Sequence, residues 1–181
     1  MPHFRRAIVV GATSGIGLAL AQRLASEGAG IALVGRSSDK LMSATGGINA
    51  REKGNGVGVS YGNDVRNTEE IPSLFQEIIQ DLGGLDLIIY AAGIMPKVAP
   101  DDYDTATDRA IIETNLIGAM AWLNEAAARF AQLGGGTIIG ISSVAGDRGR
   151  KGNPAYGASK AALATYLESL RNRLGSRGVT V

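Results

Sequence analysis

The chain has 181 residues, 45% of them hydrophobic and 19% charged, with a formal net charge of +1. That is enough apolar material for one domain spanning residues 1–181, and too little charge for a general attraction to nucleic acid or anionic lipid. The absence of cysteine excludes disulfides and thiolate metal sites and fits a reducing compartment, so a cytoplasmic location is expected.

Ala7-Ile8-Val9-Val10 is a short continuous apolar run, as a strand buried on both faces requires. It enters Gly11-Ala12-Thr13-Ser14-Gly15-Ile16-Gly17, after which Leu18, Leu20, Ala21, Leu24 and Ala25 follow at helical spacing. The pattern predicts a strand at 7–10, a tight turn and a helix at 15–28. Arg5 and Arg6 before an apolar stretch imitate a secretory signal, but Gly11, Ser14, Gly15 and Gly17 interrupt it, and no membrane span is expected. The glycines permit a positive φ and let the backbone approach a pyrophosphate, which would rest on the helix N-terminus. The spacing G-x-x-x-G-x-G differs from the common G-x-G-x-x-G fingerprint. It also lacks the Gly-Lys-Ser/Thr of a P-loop, which disfavours ATP or GTP. An ordinary glycine-rich strand-to-helix turn is the alternative.

Further strands are predicted at 31–34, 57–61, 86–90, 137–142 and 179–181, and helices at 38–52, 68–82, 103–133 and 154–175. Gly46-Gly47 and Lys53-Gly54-Asn55-Gly56 are expected to break the second helix and lead out of it. Asp101, Asp102, Asp104 and Asp108 lack the glycine and glutamate of a calcium loop and are read as helix-capping, solvated charges. His3, a lone histidine near the terminus, is given no metal or catalytic role. Trp122 and Leu123 are either core or subunit contact. Gly134-Gly135-Gly136 reads as a helix stop. The alternation of apolar runs and amphipathic stretches implies an α/β fold with helices on both faces of a parallel sheet. Right-handed crossovers would bring Gly11, Arg36, Asp64, Gly93 and Ser143 to the carboxyl edge of the strands.

Ser143 follows the strand-like Thr137-Ile138-Ile139-Gly140-Ile141, and Tyr156 and Lys160 come 13 and 17 positions after it. Four residues apart on a helix, Tyr156 and Lys160 project from one face. An ammonium beside a phenol favours the phenolate and suits the phenol to proton transfer, while Ser143 can hold a substrate oxygen.

Taken together, Thr13-Ser14-Gly15-Ile16-Gly17, Asn63-Asp64-Val65, Ala91-Ala92-Gly93, Asn115, Ser143 and Tyr156-x-x-x-Lys160 resemble the short-chain dehydrogenase/reductase family in order and approximate spacing. The resemblance implies a Rossmann-like doubly wound parallel sheet of strand order 3-2-1-4-5-6, and a nicotinamide-dependent oxidoreductase with no metal requirement. It assigns Tyr156 as acid/base, Lys160 as its activator and a ribose contact, Ser143 as carbonyl positioner, and Asn115 as holder of a relay water. Gly11, Thr13, Ser14, Gly15, Ile16, Gly17, Arg36, Asp64, Val65, Ala91, Ala92 and Gly93 are assigned to the cofactor, with Asp64 at the adenine. Tyr90 and Ala91 stand where the family usually has two asparagines. The family commonly runs to about 250 residues, so the last strand and substrate lid are expected to be missing here.

Gly35 carries no carboxylate to accept ribose hydroxyls, and Arg36 offers a planar guanidinium, so NADP(H) is expected over NAD(H). The substrate is expected to be a small carbonyl or alcohol, bordered by 94–98 and by the basic loop 147–153. That loop is similar to one in reductases of a keto-sugar on a polyprenyl phosphate, which makes a phosphorylated or sugar ketone one candidate; solvated loop charge is the other reading of Arg148, Arg150 and Lys151. By the same resemblance a homodimer or homotetramer is expected. A truncated or non-catalytic nucleotide-binding module is the alternative function.

Overall fold

The computed structural model describes residues 4–50 and 56–181. His3 and the expected break at Lys53-Gly54-Asn55 lie outside the described residues. Strands β1 (Arg6–Val10), β2 (Gly30–Gly35), β3 (Gly58–Gly62), β4 (Leu87–Tyr90), β5 (Gly136–Gly140) and β6 (Val179–Thr180) form one sheet in the order β3-β2-β1-β4-β5-β6. Every pairing is parallel. The register sets Val10 level with Val34 on one side and Tyr90 on the other, and Tyr90 level with Gly140, so four strands finish at a common edge. The chain reverses direction of winding between β1 and β4, the switch point where such sheets open a crevice.

The helices are α1 (Gly15–Ser26), α2 (Ser38–Asn49), α3 (Ile71–Leu82), α4 (Thr105–Ile112), α5 (Gly118–Leu133) and α6 (Pro154–Leu174). Alternation along the strands divides the core. Ile8, Val10, Ile88 and Tyr90 pack with α3, α5 and α6, whereas Ala7, Val9, Leu87 and Ile89 pack with α1 and α2. Ala21 and Ala25 let α1 lie close to the sheet. On the other face Phe75 and Trp122 meet edge to face, 6.4 Å between ring centres. Trp122 and Leu123 are fully buried in this layer, so of the two readings of that pair the core applies. Burying each such large side chain stabilises the fold by about 1.5–3 kcal/mol.

Two expectations need correction. Helix α2 runs through Gly46 and Gly47 instead of breaking there. Leu41, Ala44 and Ile48 bury one face of it, and that packing outweighs the helix penalty of about 1 kcal/mol per glycine. The expected helix 103–133 is two α-helices joined by a π-turn at Glu113–Ile117. Its start is capped by Asp104, which accepts from the backbone N–H of Ala106 and Thr107, as the capping reading of the acidic run requires. Helix α5 stops at Gly134 with φ 71°, which makes the glycine-run stop a left-handed C-cap. Among the described residues no helix is long and apolar enough to cross a membrane.

Candidate functional site

At the common strand edge the turn after β1 is built by glycine geometry. Gly11 has φ 87°, and its N–H and that of Ala12 both donate to the Val34 carbonyl, at 2.9 and 3.1 Å. A Cβ on Gly11 would lie 2.5 Å from the Ala92 nitrogen, and one on Gly17 would collide with the Gly11 carbonyl. Gly15, with φ 54°, has nothing within 4 Å of the position a Cβ would take. Two of these glycines therefore close the turn against α1 and the segment after β4, while the third leaves room for a ligand. Ser14 precedes α1 without a side-chain capping bond, and the first turn of α1 holds no acid, so its amides face outward unopposed.

A cavity of about 370 Å³ opens on this turn. Gly11, Thr13, Ser14, Gly15, Ile16 and Gly17 form one wall; Arg36, Asp64 and Val65 form another; Ala91, Ala92 and Gly93 form the third. All the cofactor residues expected from the sequence except Tyr156 and Lys160 thus border one space. The open space at Gly15 and the uncapped N-terminus of α1 in the cavity wall fit the phosphates of a dinucleotide. Asn63, also in the wall, buries both polar atoms of its amide without a hydrogen-bond partner, a vacancy that buried polar groups seldom carry.

Ser37 and Lys40 line the same cavity and were not foreseen. Lys40 stands four positions after Arg36 across the start of α2, a spacing that could have signalled a second cation. Arg36 and Lys40 enter no ion pair among the described residues, and the Ser37 hydroxyl makes no capping bond at α2. Asp64 is held by Arg66, whose guanidinium bonds it bidentately at 2.6 and 3.0 Å. That side-chain hydrogen bond keeps the Asp64 carboxyl below its usual value.

The catalytic candidates converge from three segments: Asn115 from the π-turn, Ser143 from the start of a 3-10 turn, and Tyr156 and Lys160 from α6. Asn115, in the π-turn, is fully buried. Its Oδ1 accepts from the Ile94 N–H at 2.7 Å, and its Nδ2 donates to the Ile94 carbonyl at 3.0 Å and to Ser159 Oγ at 3.1 Å. Lys160 is 5% exposed, and its Nζ donates to the Ile141 carbonyl at 2.8 Å. The same Nζ lies 5.8 Å from the centre of the Tyr156 ring. Burial holds the Lys160 ammonium below its ordinary pKa. A Cβ on Gly93 would stand 3.3 Å from Asn115 Oδ1 and 3.7 Å from Lys160 Nζ, so Gly93 is where the cavity meets Asn115 and Lys160.

Ser143 caps a single 3-10 turn, Val144–Gly146, by accepting from the Ala145 N–H at 3.1 Å. The turn lies tightly on α6: a Cβ on Gly146 would be 2.7 Å from the Ala161 nitrogen, and one on Gly157 2.9 Å from the Ala145 carbonyl oxygen. These close approaches fix the serine turn against the helix bearing Tyr156 and Lys160. Asn153, the last residue of the loop 147–153, has φ 49°, accepts from the Tyr156 N–H at 3.0 Å and donates to the Pro96 carbonyl at 2.8 Å. It starts α6 and ties the two loops expected to border the substrate. Its place directly before Pro154 was the available signal.

The basic loop encloses a second cavity of about 330 Å³ whose walls include Arg148, Arg150, Gly157 and Ala161. Gly157 and Ala161 are each one residue, about 100° of helix, beyond Tyr156 and Lys160. The space next to Arg148 and Arg150 therefore flanks the face of α6 that carries Tyr156 and Lys160 and does not coincide with it.

The sequence matches a family described as short chain dehydrogenase over residues 5–181. An uncharacterized oxidoreductase of Mycobacterium tuberculosis is 33% identical over 178 residues, which are 98% of this chain and 70% of the relative. A ketoacyl reductase, HetN, of Nostoc is 32% identical over 96% of this chain and 60% of its own length. Among solved structures, a short-chain type dehydrogenase/reductase from Mycobacterium ulcerans superposes with a TM-score of 0.92 at 30% identity. It is matched by 98% of this chain, which spans 65% of it. An NAD+-bound xylitol dehydrogenase gives a TM-score of 0.91 at 28% identity, over 98% of this chain and 67% of that one.

Proposed function

This chain belongs to the short-chain dehydrogenase family and is an oxidoreductase of that family, and from that premise we propose that it interconverts a ketone and a secondary alcohol with NADP(H), using Tyr156 as acid and base. The observation that carries this reading is the buried Lys160 ammonium, 5.8 Å from the Tyr156 ring centre and beside Gly93 in the cavity wall.

In this reading the turn from Gly11 to Gly17 and the N-terminus of α1 hold the pyrophosphate, Asp64 and Val65 the adenine end, and Ala91, Ala92 and Gly93 the remainder. The bound nicotinamide supplies or takes up hydride at the substrate carbon. Tyr156 gives its proton to the carbonyl oxygen during reduction and recovers it during oxidation. Ser143 accepts from Ala145, which leaves its own hydroxyl proton free for the same oxygen. Lys160 gives one of its three ammonium protons to the Ile141 carbonyl, which leaves two for the phenol and the cofactor ribose. Asn115 braces Ile94 and keeps a second lone pair on Oδ1 beside the same point.

Arg36, Lys40 and Ser37 support the choice of NADP(H). Two cations without ion-pair partners among the described residues, and a free hydroxyl at the start of α2, suit a ribose 2′-phosphate. Gly35 offers no acid to a ribose hydroxyl. Titration with NADPH and NADH, followed by cofactor fluorescence, tests this choice. NADPH is expected to bind at least about tenfold tighter, with the gap shrinking in Arg36→Ala and Lys40→Gln. A preference for NADH overturns the assignment. Turnover of a panel of ketosugars and simple ketones with NADPH tests the reaction class.

A further inference from the structure

We propose that Tyr90 is a positioning residue: its hydroxyl holds the π-turn open, and the π-turn in turn holds Asn115 and the Ile94 loop at the catalytic pair. The evidence begins with a backbone anomaly. The Gly118 N–H bonds to the Glu113 carbonyl, five residues back, where an uninterrupted helix would have bonded it to Thr114. The Thr114 carbonyl is therefore bypassed in a buried setting, since Thr114 is 7% exposed. An unsatisfied carbonyl there would favour collapse to the ordinary helical register.

Tyr90 prevents this. At the end of β4, 1% exposed, it donates from its hydroxyl to the Thr114 carbonyl at 2.6 Å. The partner residue is matched to it: a Cβ on Gly118 would lie 2.9 Å from the Tyr90 hydroxyl and 2.8 Å from the Val65 carbonyl. Only a glycine leaves room for the phenol between the helix and the segment after β3. The extra residue in the turn is what rotates Asn115 toward Ile94 and Ser159. In a regular helix that side chain would shift by about 100°. The aromatic departure at position 90 thus performs a job that an asparagine is too short to perform. Burial raises the Tyr90 pKa, which keeps the hydroxyl a donor at all working pH values.

This inference deepens the proposed function, since it takes Asn115 as part of that site. Its test needs neither cofactor nor substrate, so it can fail separately. Amide hydrogen exchange is measured in the wild type and in Tyr90→Phe. The Ile94 amide, protected by Asn115 Oδ1, is expected to exchange about tenfold faster in the variant, while strand amides at Ile8 and Ile88 are unchanged. Added to Asn115→Ala, Tyr90→Phe is expected to change the Ile94 rate no further. An unchanged Ile94 rate, an equal acceleration throughout the sheet, or an additional effect on top of Asn115→Ala overturns the proposal. Should Tyr90→Phe fail to fold, the wild type decides. Its Tyr90 hydroxyl proton, observed by NMR with 13C-tyrosine, is expected to exchange slowly and to give a cross-peak to the Gly118 α-protons. Absence of that signal overturns the proposal equally.

Discussion

Lys160 Nζ donates to the Ile141 carbonyl at 2.8 Å, which pins the ammonium on α6 to the backbone just beyond β5. The charge is fixed in place by one backbone acceptor among the described residues, and at 5% exposure it is short of water. A charge so placed serves a site more than it serves stability.

Burial lowers the folded-state pKa of Lys160, so the charged form opposes folding. That cost is fully present below the folded value and disappears as the pH rises from it toward the unfolded value of about 10.4. Lys160→Met is therefore expected to melt about 2 °C above the wild type at pH 7, with the gap closing by about pH 10. Turnover should be lost in the same variant. Thermal unfolding at both pH values checks the sign; a variant that melts lower at pH 7 contradicts it.

The glycines of the first turn should separate by role. Gly17→Ala places a methyl on the Gly11 carbonyl and is expected to destabilise the fold by about 3 kcal/mol. Gly15→Ala meets no atom and should cost about 1 kcal/mol for its left-handed backbone. Its methyl enters the cavity instead, and NADPH affinity is expected to fall about tenfold in a protein that still folds. Urea unfolding and cofactor titration of both variants measure the contrast.

Asp86 joins the starts of β1 and β4. Its carboxylate accepts from the backbone N–H of Arg5 and Arg6 and from the Arg6 guanidinium at 2.9 Å. Burial alone would raise the Asp86 pKa, but the hydrogen bonds from Arg6 and Arg5 outweigh it and the net shift is downward. Its contribution is present above the unfolded value of about 3.9 and is lost as pH falls through the lower folded value. With partial exposure and solvent screening, Asp86→Asn is expected to cost about 1 kcal/mol at pH 7. Below the lowered folded-state value the variant and wild type should converge in urea unfolding.

Much of this was legible where chemistry repeats locally. The apolar run at Ala7–Val10 and the glycines after it specify strand, turn and helix within a dozen residues, and the four-residue spacing of Tyr156 and Lys160 brings their side chains together on α6. What was hidden depends on partners distant in sequence. No period marks the π-turn at Glu113–Ile117, because its bypassed carbonyl is satisfied by Tyr90, 24 positions away. Gly46 and Gly47 read as a break because propensity is local, while the packing of Leu41 and Ile48 that overrides it is not. Lys40, four positions after Arg36, is within reach of spacing rules. Arg66 is not: its hold on Asp64 depends on the turn after β3 folding back on itself.

The central claim, that the Tyr156 phenol moves the proton, is tested most directly by Tyr156→Phe, which removes one oxygen and leaves the ring near Lys160. Turnover with NADPH is expected to fall by at least about a thousandfold while NADPH affinity stays within about twofold of the wild type. Turnover equal to that of the wild type contradicts the account.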